Sequence, residues 1–73
     1  MHTPHDIATM RSELTECFAE AGADGWAPVY VMALAPIVAG ARAAGMAAES
    51  HVWTCDVATL AAYHDHYTRT IGG

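Results

Sequence analysis

Between Asp24 and Arg42 the chain runs for seventeen residues, Gly25 to Ala41, without one charged side chain. In a protein of only 73 residues that stretch must lie where the fold is held together, since its side chains gain by leaving water. It falls short of the ~20 residues needed to cross a bilayer as a helix. It also contains Pro28 and Pro36 and is diluted with alanine. We therefore expect no membrane partner for the region 26–48. Pro28 suits the first turn of a helix capped by Asp24, whereas Pro36 lacks an N–H and crowds the turn before it, so the helix kinks there or restarts. Val29-Tyr30-Val31 favours strands, and a short strand near 29–34 is the competing reading.

The segments on either side read as helices too. Thr3-Pro4-His5-Asp6 offers an N-cap hydroxyl, a proline in the first helical position and an acidic side chain placed for a capping box. Gly22 supplies a left-handed C-cap. At 100° per residue, Ile7, Met10, Leu14, Cys17, Phe18 and Ala21 form one apolar stripe. Gly45 to Ser50 reads as a connection and His51 to Thr54 as a short extended piece. Thr54 or Asp56 then caps a last helix running to about Thr70, with Val57, Leu60, Ala61, His64, Tyr67 and Ile71 on one face. The expected fold is all-α: a single domain over 1–73, a three-helix bundle with a kinked middle helix, and possible short strands near 29–34 or 51–54.

Hydrophobic residues are 53% of the chain and charged ones 15%, which excludes a disordered segment. Sixteen residues are alanine, however, so the core rests on Ile7, Met10, Leu14, Phe18, Trp26, Tyr30, Leu34, Ile37, Trp53, Val57, Leu60 and the late tyrosines. A chain below roughly 70–80 residues with such a core usually needs a staple, a metal or a second subunit. Cys17 and Cys55 are too few for a secreted disulfide framework, and we expect them reduced and buried. A homodimer is expected. No Arg or Lys precedes an apolar stretch at the N-terminus, so the cytoplasm is the default location.

Three arginines and no lysine face eight acidic residues, a formal net charge of -5. Direct binding to nucleic acid or an anionic membrane needs basic clusters and is excluded. Asp6, Glu13, Glu16 and Glu20 fall on one arc of the first helix beside the apolar stripe. No basic residue stands four positions on to relieve them, and Arg11 points well away.

The chain carries little catalytic equipment. His64-Asp65-His66 on a helix sends its two imidazoles to nearly opposite sides, which defeats one-face metal ligation. His51 and Cys55 with a late histidine match no tight zinc spacing. The bland assignment is a core His64 bonded to a neighbour, with His2, His5, His51 and His66 at the surface. Both cysteines sit where small buried hydrophobes belong, and Ser12 and Ser50 lack a nucleophile-elbow context. A domain this small leaves little room for a pocket of ~300 Å³ beside its core. Acyl-carrier proteins are also short, acidic and helical, but Gly22 to Trp26 lacks their attachment serine.

No enzyme, cofactor or resident metal is therefore expected. The expected function is that of a small acidic interaction protein. Asp6, Glu13, Glu16 and Glu20, with Trp26 and Trp53, would dock on a basic protein or nucleoprotein complex, as a phage or mobile-element inhibitor of the anti-CRISPR or anti-defence type does. The alternatives are a helical subunit or homo-oligomer acting through an aromatic interface, and a zinc module built from His and Cys.

Overall fold

The computed structural model describes residues 3–72, leaving His2 outside, as four helices: α1 (Pro4–Ala23), α2 (Pro28–Ala44), α3 (Ala48–Thr54) and α4 (Val57–Gly72). The fold is all-α, with four helices instead of three. Among the described residues both segments with strand character, 29–34 and 51–54, are helical.

α1 begins on the capping box: Thr3 Oγ1 accepts from the Asp6 amide at 3.1 Å, and Asp6 accepts from the Thr3 amide at 3.3 Å. The helix runs past Gly22, and the chain reverses instead at Gly25 and Trp26, whose φ angles are 66° and 58°. A tryptophan in the left-handed region costs about 1–2 kcal/mol. Two contacts offset it: the Trp26 amide donates to the Ala21 carbonyl at 2.8 Å, and the indole meets Phe18 edge-on at 6.0 Å.

α2 passes through Pro36 as one continuous helix, so of the two expected outcomes, a kink or a restart, the restart does not occur. A proline at 36 leaves the Met32 carbonyl without its intrahelical donor. His66 of α4 supplies the missing bond, its Nε2–H donating to Met32 O at 2.9 Å. The other end closes on Gly45 at φ 70°, with the Met46 amide bonded to Ala41 O and the Gly45 amide to Arg42 O. This is the paired arrangement that ends a helix in a left-handed glycine.

α3 forms where an extended piece was expected, because tertiary contacts outweigh the local preference of Val52 to Thr54. Val52 is fully buried. The Arg11 guanidinium donates to the carbonyls of Val52 and Cys55 at the helix's C-terminal end, where carbonyls lack partners and positive charge is favoured. α4 starts on Asp56, which accepts from the Thr59 amide at 3.3 Å and from its hydroxyl.

The core joins Met10, Leu14, Cys17, Phe18 and Ala21 of α1 to Ala33, Leu34, Ile37 and Ala41 of α2, with Val52 and Leu60 closing it. Three residues assigned to the core from the sequence are instead exposed: Trp26 at 44%, Trp53 at 48% and Val57 at 38%. Buried alanines take over because small side chains let the helices approach closely. Gly40 takes this furthest. A Cβ there would stand 2.1 Å from the Tyr63 hydroxyl and 2.8 Å from His51 Nε2, two groups bonded to each other at 2.8 Å.

Candidate interaction surface

The two flanks of α1 have different partners. On the 100° wheel Arg11 lies on one side of the apolar stripe and the acidic arc on the other. Arg11 accordingly meets α3, and Glu13 meets α4, where His64 Nε2 donates to its carboxylate at 2.7 Å. The acidic arc is thus relieved at Glu13, and Asp6 serves the helix cap. Glu16 and Glu20 remain exposed on the same flank. Partial burial first, then the charges of Asp24 and Glu20, push the Tyr30 phenol above its ordinary value. Tyr67 is pushed up in the same way, first by burial and then by neighbours that include Cys17, Glu13 and Glu20. The acidic row therefore borders the seam where α1, α2 and α4 meet. The sequence signal for the Glu13 contact was His64 on an otherwise apolar face.

The histidines do not converge. His51 is bonded to Tyr63, His64 to Glu13, and His66 to the Met32 carbonyl. Among the described residues no three His, Cys, Asp or Glu side chains are placed to hold a metal ion. Cys17 and Cys55 are both free thiols, one buried and one half-buried. Burial, with Glu20 second, pushes the Cys17 thiol up, the opposite of the shift that activates a nucleophile.

The two tryptophans separate. Trp53 stands exposed near the end of α3, while Trp26 closes one end of a groove of about 460 Å³ lined by Val31, Leu34, Ala35, Val38, Ala39 and Arg42. Sequence reasoning left little room for a space of this size. It arises because it is not carved from the core but lies open along the outer face of α2. Arg42 is its one ionisable side chain. Arg11 is engaged with α3 and Arg69 with Asp65 at 3.0 Å, whereas Arg42 has no ion-pair partner among the described residues. Such a groove can hold apolar side chains together with an acidic group at one end.

Sequence reasoning missed this surface, although the spacing carried a signal for it. Pro28, Val31, Ala35, Val38 and Arg42 recur at intervals of three, four, three and four, the seam by which one helix packs on another. Tyr30, Leu34, Ile37 and Ala41 form a second seam that the core consumes. α2 thus has one packed stripe and one open stripe. No single helix among the described residues is long and apolar enough to cross a membrane, and α2 and α3 reach that threshold only as a pair bent by 88°. Compared with protein-family models, curated proteins and solved structures, the chain matches none.

Proposed function

We propose that the protein is a small non-enzymatic interaction module whose working surface is the outer face of α2. The observation that carries this reading is the groove lined by Val31, Ala35 and Val38, of which Val31 and Ala35 are exposed and Val38 is half-buried against the core, with Trp26 at its end and Met32, 63% exposed, next to Val31 on the helix. Contiguous apolar surface of this kind marks contact sites on soluble domains, and an exposed tryptophan at its edge is a typical anchor. The groove lining offers no carboxylate, imidazole or thiol for proton transfer or nucleophilic attack. The test is capture of partners by the tagged full-length protein and by Ala35→Glu, with helical content compared by circular dichroism. Loss of capture with unchanged helicity is the expected result. Equal capture by both proteins overturns the reading.

A second reading keeps the acidic flank as the docking surface for a basic, nucleic-acid-binding protein, the expectation for an anti-CRISPR or other anti-defence inhibitor. The exposed Glu16 and Glu20 and the net charge of -5 support it. Glu13 and Asp6, bound within the fold, contribute less than the sequence suggested. Reversing Glu16 and Glu20 to Lys abolishes binding on this reading and leaves it intact on the first.

A further inference from the structure

We infer that the occupant of the α2 groove is a second copy of this chain, packed antiparallel about a two-fold axis at Ala35. The inference rests on the outer face of α2 being an interaction surface and names its partner. Its grounds are the register and the charges of that face.

An antiparallel pair centred on Ala35 sets Val31 of one copy beside Val38 of the other, with the two Ala35 residues facing at the axis. The alanine is small enough for the backbones to come close at the centre. Pro28 and Arg42 lie seven residues either side of Ala35, about 10.5 Å along the helix. Arg42 of one copy therefore arrives at the start of α2 in the other, beside the turn holding Asp24 and Trp26. Both are exposed there. A carboxylate and an indole face are the two groups a guanidinium binds best. Arg42, the one arginine among the described residues with neither an ion pair nor a side-chain hydrogen bond in its own chain, thus gains partners twice, once at each end of the seam. A parallel pair would bring the two Arg42 side chains together and leave the two turns facing one another.

α2 spans only 17 residues, about 25 Å, so the shared seam is short and the interface belongs at the low end of the standard size range. The two chains carry -5 each, so screening their repulsion offsets any loss at the Arg42 ends, and association persists as salt rises.

Variants that each add one cysteine to the chain test the register, with wild type setting the background from Cys17 and Cys55. Under mild oxidation Ala35→Cys alone yields a covalent dimer as its main product. Val31→Cys and Val38→Cys yield none above background separately, but do so when mixed. Cross-linking by all three separately means parallel packing and overturns the proposal. So does the absence of cross-linking above background in every case. Partner capture by wild type and Ala35→Glu is read independently, so a failed dimer with capture that still depends on Ala35 removes only the second copy, not the surface.

Discussion

At the residue scale, several side chains compensate for what another position lacks. Gly40 sits inside a helix, where alanine would be favoured by about 1 kcal/mol, yet a methyl there collides with the Tyr63 hydroxyl. Gly40→Ala is expected to break the His51–Tyr63 bond and destabilise the fold by about 1–2 kcal/mol net. Urea denaturation measures the loss, and a gain in stability contradicts the reading. His66 and Pro36 form a second such pair. His66→Ala leaves the exposed Met32 carbonyl to water, at about 0.5–1 kcal/mol, whereas Pro36→Ala restores the intrahelical N–H and removes the need for the imidazole. The two changes are therefore non-additive: His66→Ala should be near neutral in the Pro36→Ala background. A double-mutant cycle by thermal denaturation reads the coupling.

At the element scale, the short α3 depends on its neighbours more than on its own sequence. Arg11 bonds two carbonyls at its C-terminal end, so Arg11→Ala is expected to lower stability by about 1.5–3 kcal/mol. Amide exchange should show α3 opening before α1. Local chemistry revealed α1 through its capping box and α4 through Asp56. α3 was hidden because the residues that stabilise it, Arg11 and the core around Val52, lie far away in the chain. The continuity of α2 was hidden in the same way, since nothing near Pro36 announces that His66 will supply the missing bond. pH probes α4 at both ends of the scale, with opposite signs. Hydrogen bonds from Thr59 hold the Asp56 carboxyl below its ordinary 3.8. Its stabilisation of α4 is present above that value and lost as pH falls through the lower folded one. Burial raises the Tyr63 and Tyr67 phenols above 10.0. That contribution is complete below pH 10 and lost as pH rises through the folded values. Far-ultraviolet circular dichroism across both limbs should show helix loss at each extreme, beginning in α4 at the acid end.

At the scale of the whole molecule, the uncharged run Gly25–Ala41 supplies both faces of one helix. One face closes a small core rich in alanine, and the other stays open. The acidic row that dominates the sequence is partly engaged within the fold: the Asp6 cap was legible in Thr3-Pro4-His5-Asp6, whereas the Glu13–His64 contact was not, because pairing across helices is invisible on a single wheel. The open seam was missed, although its three-and-four spacing is in the sequence, because the spacing alone does not tell which stripe of α2 the core takes. Sedimentation equilibrium on wild type and Ala35→Glu, over roughly 1 µM to 1 mM and at low and high salt, tests this division of α2 most directly. Wild type should rise from 7.7 kDa toward twice that mass without weakening in salt, while Ala35→Glu stays at the monomer mass with its helicity intact. A wild type that remains at 7.7 kDa throughout, or an Ala35→Glu variant that associates as wild type does, would contradict it.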